Sequence, residues 1–184
     1  MVDEIERALE MTSAVVRGLT PARLEARSLC PAWDARGELN HLVGGMRIFA
    51  AQITGDEPDR EHEDDWLGRD PLGAFAEAAA EDRAAWRRPG ALGTTFRLSF
   101  GALPGAMAAR VHLTEVLVHG SDLAVVSGQE GLIDEELCEG LLATMRGMDF
   151  GMFRRPGMFG EERAAAADAP AHRRLLAFLG RELP

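Results

Sequence analysis

Apolar residues recur at helical spacing through most of this chain. Val2, Ile5, Ala8, Leu9, Val15, Val16 and Leu19 mark one face of a helix over residues 2 to 19. The connector "TPARLEARSLCPAW" follows, and Asp34 is placed to cap a second helix reaching to about Thr54. Leu39, Leu42, Met46, Phe49 and Ile53 form its apolar arc. Acidic "GDEPDREHEDDW" reads as a loop. Asp70-Pro71 supplies a cap and a first-turn proline, opening a third helix to about Arg88. In "TTFRLSF" the period switches to two, with Phe96, Leu98 and Phe100 alternating against Thr95, Arg97 and Ser99. That pattern predicts a short extended crossover. "GALPGA" then opens a long fourth helix stopping near Gly128, and Asp134 caps a fifth through about Phe150.

The remaining stretch, "GMFRRPGMFGEERAAAADAP", reads as irregular, and "HRRLLAFLG" as a short terminal helix. No internal repeat is visible. The fold class expected is all-α: a helix bundle over residues 1–150, with a tail over 151–184 whose short helix packs on the bundle.

The fourth helix carries an unusual polar stripe inside an apolar run. With Glu115 set at about 0°, His119 falls at about 40°, His112 at about 60° and Asp122 at about 340°. Val111, Val116, Val118 and Leu123 flank the four groups closely. Ionisable groups that face inward must be paired, hydrogen-bonded or ligated. A plain hydrogen bond between Glu and His four residues apart is the competing reading. The opposite face, with Leu113, Leu117 and Ala124, is apolar too, so the stripe could instead face solvent.

The second helix adds His41, roughly 80° beyond the edge of its apolar arc. Gly44-Gly45 lies beside it, at a cost of about 1 kcal/mol per glycine relative to alanine, which implies a packing or clearance requirement. His41 with Glu115 and His119 makes a His/Glu/His set from two helices. Such a set suits a divalent metal with an open coordination position.

Composition narrows the chemistry. The 184 residues carry a formal net charge of -10 and gather no basic patch, which argues against nucleic-acid binding. No apolar run approaches the ~20 residues of a membrane span. The acidic, amphipathic N-terminus is unlike a signal peptide, so a soluble, cytoplasmic protein is expected. There is no lysine, which removes Schiff-base and P-loop chemistry, and no tyrosine. Cys30 and Cys138 are too few and too scattered for a thiolate cluster and read as small hydrophobes. His62, in the acidic loop, and His172, beside two arginines, are expected at the surface. Abundant alanine with an all-arginine basic set suggests a GC-rich bacterial genome.

"CPAWDARGELNHLVGG" and "VHLTEVLVHGSDLAVVSG" resemble the two signature blocks of the mycothiol-dependent maleylpyruvate isomerase N-terminal domain family, part of the DinB-like superfamily of metal-binding bundles. "FGALPGA" and "ADAPAHRRLLAFLG" are similar to single-domain members, so the resemblance spans nearly the whole chain. It implies a DinB-like four-helix bundle with a long crossover connection, here with an additional fifth helix and a short C-terminal helix. It also implies a metal triad of His41, Glu115 and His119. Two departures matter. Ser121 stands where the motif commonly has the tryptophan of a tryptophan-aspartate pair. The true isomerase is similar only over its first domain, and no comparable second domain is expected here. The resemblance therefore implies the fold rather than the isomerase reaction.

A site of two imidazoles and one carboxylate favours zinc, with nickel and iron as alternatives. It would hold an incoming thiol, such as mycothiol, as thiolate against a small electrophile. The expectation is a transferase or isomerase, with a non-catalytic metal- or ligand-binding bundle as the alternative. Asp122 is a candidate acceptor for an imidazole N–H, and His112 a candidate contact to metal or substrate. The apolar outer face of the fourth helix needs a cover, from the fifth helix, the tail or a homodimer partner.

Overall fold

The computed structural model describes residues 1–31, 33–98, 101–155 and 158–184. Seven α-helices are named in chain order: α1 (Val2–Arg17), α2 (Pro21–Leu24), α3 (Ala35–Thr54), α4 (Pro71–Trp86), α5 (Gly105–Ser127), α6 (Glu135–Arg146) and α7 (Ala171–Phe178). Side-chain caps start the helices where aspartate stands ready. Asp34 accepts from Gly37 N at 2.7 Å, Asp70 from Gly73 N at 3.0 Å, and Asp134 from Leu137 N at 3.0 Å. Gly128, at φ 74°, ends α5 in the left-handed conformation that glycine adopts without strain.

Four of these helices form the bundle of an all-α, DinB-like fold. α1 packs on α4 and α5, and α3 packs on the same two, so α4 and α5 lie diagonally across the core. Leu9, Leu39, Phe75, Trp86, Leu117 and Leu123 fill the interior. α3 and α5 run antiparallel: Glu38 and His41 meet His119 and Glu115, while Phe49, further along α3, meets His112, earlier on α5.

The α4–α5 connection contains a two-stranded antiparallel hairpin, β1 (Thr95–Leu98) and β2 (Gly101–Pro104), with Thr95 opposite Pro104 and Leu98 opposite Gly101. Phe96 is fully buried and Arg97 exposed, as alternation requires. Ser99 and Phe100, at the end of the period-two stretch, lie outside the described residues. "GALP" is strand rather than the opening of α5. Pro104 adopts an extended conformation (φ -60°, ψ 144°), and proline also biases Leu103 away from helix. α5 starts at Gly105, where a Cβ would sit 2.5 Å from the carbonyl oxygen of Leu92.

Other element ends shift for similar local reasons. The connector after α1 folds one helical turn, α2, capped by Thr20. α6 stops at Arg146, and Phe150–Phe153 makes a separate 3₁₀ turn. α6 and α7 pack on each other and on α5. Leu113, Leu117 and Ala124 are buried within the single chain, so that face of α5 needs no second subunit. Among the described residues, no helix is long and apolar enough to cross a membrane.

Candidate metal centre

Two helices and three flanking segments meet at one end of the α3–α5 contact. Because Asp34 fixes where α3 begins, Glu38 and His41 fall three residues apart on the face turned toward α5. That helix presents Glu115, His119 and Asp122 back. His41 Nε2 donates to Glu115 Oε2 at 2.8 Å, and His119 Nε2 lies 3.3 Å from the same oxygen. One donor atom from each of the three residues falls within 4.8 Å of the others. Ligands about 2.0–2.1 Å from a tetrahedral ion stand roughly 3.3 Å apart, close to the two separations that Glu115 makes with the histidines. His41 and Glu115 side chains are 24% and 35% exposed while His119 is 9% exposed, so the cluster opens to solvent on the His41–Glu115 side.

The other imidazole nitrogen of His119 is held from beneath. His119 Nδ1 donates to Glu38 Oε1 at 2.7 Å, and Glu38 Oε2 accepts from Ser28 Oγ at 2.7 Å. Ser28 Oγ in turn accepts from the backbone N–H of Cys30 at 2.8 Å. Asp122, the acceptor expected for an imidazole N–H, lies 3.6 Å from Nδ1, too far for a hydrogen bond. Its carboxylate is gripped by Arg181, with Nε and Nη2 at 3.0 and 2.9 Å from Oδ2.

Charge in this cluster is unbalanced. Three carboxylates (Glu38, Glu115, Asp122) face one guanidinium (Arg181), leaving two negative charges when both imidazoles are neutral. A divalent cation cancels that excess. The protonation equilibria of the protein respond to the same field. Burial alone would lower His119, but Asp122, Glu115 and Glu38 outweigh it and hold its pKa well above the usual range. Desolvation opposes the charge on Glu115, yet His119 and His41 bring it well below the carboxylate norm. Burial and the Asp122 charge push Glu38 up. His41 is depressed by burial, with Glu115 opposing.

A second trio, Glu38, His119 and Asp122, also places donor atoms within 4.8 Å of one another. It is the poorer cation site, because Arg181 already neutralises Asp122 and His119 Nδ1 carries the hydrogen given to Glu38.

Aromatic groups wall the open side. The Trp33 ring lies 4.6 Å from that of His41 and 5.6 Å from that of His119, centroid to centroid. The ring of His62, expected at the surface, lies tilted 4.5 Å from that of His41 and donates from Nε2 to the His41 carbonyl oxygen at 3.1 Å. Gly44, the first of the glycine pair, explains how the acidic loop reaches so close. A Cβ on Gly44 would meet Trp66 Nε1 at 2.7 Å and His62 Cδ2 at 2.9 Å.

His112 is not part of this cluster. Its Nε2 pairs with Asp82 Oδ2 at 2.8 Å in the bundle core, beside Phe49 and Trp86. His172, also expected at the surface, is 3% exposed and pairs with Glu130 and Glu135. Glu38 and Arg181 escaped sequence reasoning. Glu38 shares a face with His41, but an acidic residue in the first turns of a helix is unremarked because the dipole favours it there. Arg181 gives no local signal.

The profile of the mycothiol maleylpyruvate isomerase N-terminal domain family matches residues 5–124. The uncharacterised proteins Rv0738 of Mycobacterium tuberculosis strain H37Rv and MT0763 of strain CDC 1551 are each 32% identical over 181 residues, covering 96% of this chain and 94% of each relative. Among solved structures, none matches the chain.

Proposed function

The chain belongs to the mycothiol maleylpyruvate isomerase N-terminal domain family, and from that membership we propose that His41, Glu115 and His119 hold a divalent metal ion, used to activate a mycothiol-like thiol toward a small electrophile. One observation carries the reading. Three ligand-type atoms from α3 and α5 converge on a solvent-open point inside a cluster of three carboxylates and one guanidinium.

Mixed imidazole and carboxylate ligands suit zinc first, with nickel and iron as alternatives. When bound, such an ion supplies Lewis acidity that keeps an incoming thiol in its nucleophilic thiolate form at neutral pH. The protein's own groups do the rest. Trp33 shields the His41 and His119 rings from water on one side. Glu38 accepts a hydrogen bond from His119 Nδ1–H, leaving Nε2 turned toward Glu115 and His41. Thiolate attack on the β-carbon of an activated alkene forms the S–C bond as the π bond opens, and a solvent proton quenches the resulting carbanion in place of the one the thiol lost. Transfer ends there; later expulsion of the thiol would give cis–trans isomerisation.

Metal analysis of the purified protein tests the reading first. About one ion per chain is expected, lost in His41→Ala with the helical fold retained. Wild-type protein that takes up no zinc, nickel or iron on reconstitution would overturn it. Conjugation assays with mycothiol and a panel of electrophiles test the chemistry. Stoichiometric metal with no thiol-dependent turnover would leave a non-catalytic binding bundle.

A further inference from the structure

Three carboxylates surround His119, and only one of them touches its Nδ1. Glu38 Oε1 sits at 2.7 Å and Asp122 Oδ2 at 3.6 Å, while Glu115 faces Nε2 on the opposite edge of the ring. The arrangement is determined from both ends. Ser28 fixes the second oxygen of Glu38, and the Cys30 N–H fixes the Ser28 hydroxyl, so each hydrogen in the chain has one acceptor. Asp122 Oδ2, the rival carboxylate oxygen, already accepts the Arg181 Nε–H and lies 2.9 Å from Arg181 Nη2. Glu38 and Asp122 are both fully buried and Arg181 is 5% exposed, so water does not compete for these bonds.

We propose that Glu38 is the positioning residue of the metal centre. By accepting Nδ1–H it fixes the His119 tautomer and ring angle that present the Nε2 lone pair to the cation. The Arg181–Asp122 pair reserves that role for Glu38 by occupying the rival carboxylate. This inference rests on the metal reading above. It also gives the C-terminal segment a part in the centre, since Arg181 lies outside the 5–124 region that the family profile matches.

The physical basis is general. A carboxylate behind a ligating imidazole raises its basicity and holds its orientation, and losing such a partner costs about 10–100-fold in metal affinity. Asp122 with Arg181 is a neutral pair that makes no hydrogen bond to His119, so replacing both by neutral residues should leave affinity nearly intact.

Zinc affinity, read by competition with a chelating dye, is compared in wild type, Glu38→Gln and the double variant Asp122→Asn/Arg181→Met, alongside thermal unfolding of each metal-free protein. Glutamine keeps the size and an acceptor oxygen but lacks the charge. Expected is a loss of about tenfold or more in Glu38→Gln and a change of less than about threefold in the double variant. A purely structural Glu38 would shift the unfolding midpoint and leave affinity unchanged, which overturns the proposal. Loss confined to the double variant would assign the role to Asp122 instead. Should either protein fail to fold, Ser28→Ala, which removes the Glu38 clamp together with the acceptor of the Cys30 N–H, must weaken zinc binding severalfold or the proposal fails. Wild type without zinc affinity would instead defeat the metal reading itself. A separate readout needs no metal: nitrogen chemical shifts of the His119 ring must show a hydrogen-bonded Nδ1–H in wild type that changes in Glu38→Gln.

Discussion

His112 Nε2 lies 2.8 Å from Asp82 Oδ2, and this hydrogen bond spans the diagonal of the bundle, joining α5 to α4, which do not otherwise pack side by side. Both side chains are essentially without solvent contact. Asp82 Oδ1 and, one turn along, Trp86 Nε1 have no protein partner among the described residues. Truncating one member of such a pair strands the other in an apolar core. His112→Ala should therefore destabilise the fold by about 3 kcal/mol or more, measured by urea denaturation. The pair is separate from the metal centre, so metal stoichiometry should be unchanged. Metal loss in a folded His112→Ala protein would contradict that separation.

The polar stripe on α5 was legible because its groups share one helical face, and residue type marked Glu115 and His119 as candidate ligands. Periodicity could not say which neighbour each group meets. His112 stands in the same stripe, yet α5 crosses α3 near Glu115 and faces α4 near His112, so the stripe divides between two partners. Glu38 looked like an ordinary acidic residue near a helix start, and Arg181 acts across 59 residues of chain on Asp122. His62 and His172 sit in charged stretches that read as solvated. Each is drawn in by contacts that only the folded chain creates, His62 by the gap above Gly44 and His172 by Glu130 and Glu135. The bundle helices announced themselves through spacing and caps. The second hairpin strand did not, because a proline just before a helix reads equally well as its first turn.

Adjacent glycines on α3 should respond to alanine in opposite directions. A Cβ on Gly44 would press into the rings of Trp66 and His62, and Trp66 cannot withdraw cheaply. Its indole N–H donates to the Glu61 carbonyl and its amide to Asn40 Oδ1. At Gly45 the nearest atom is His62 Nε2 at 3.7 Å, an ordinary contact. Gly45→Ala should raise stability by up to about 1 kcal/mol through helix propensity, whereas Gly44→Ala should lower it. Thermal unfolding of the two variants decides the matter, and equal shifts would mean the loop does not dock as described.

Trp33 offers a built-in reporter. Its ring lies against both histidine rings of the triad, whereas Trp86 lies in the core beside Phe49 and Phe96. Trp66, beside His62 over Gly44, is the third tryptophan and also lies near the triad. Copper(II) or nickel(II) bound at the triad should quench tryptophan fluorescence strongly, and Trp33→Phe/Trp66→Phe, which leaves Trp86, should remove most of that quenching without removing the metal. Strong quenching that survives in the double variant would put the ion elsewhere.

The metal-free protein should weaken as pH rises through neutrality. His119 is raised above its ordinary value of 6.5, so its contribution is complete below that pH and fades as the pH climbs toward the folded value. Glu38, raised above 4.5, acts in the same sense at lower pH. Glu115 is lowered, so its contribution is complete above 4.5 and is lost as the pH falls. From these groups, stability falls in acid as Glu115 is protonated and declines above pH 6.5 as His119 loses its proton. Metal reverses the slope. A cation at Nε2 competes with the proton there, so binding strengthens as that proton leaves, and ligand stabilisation rises with affinity. Calorimetry at acid, neutral and alkaline pH, with chelator and with zinc, should show a zinc-induced rise in unfolding temperature that is small in acid and grows toward alkaline pH. An increment independent of pH would mean that no protonated histidine gives way to the metal.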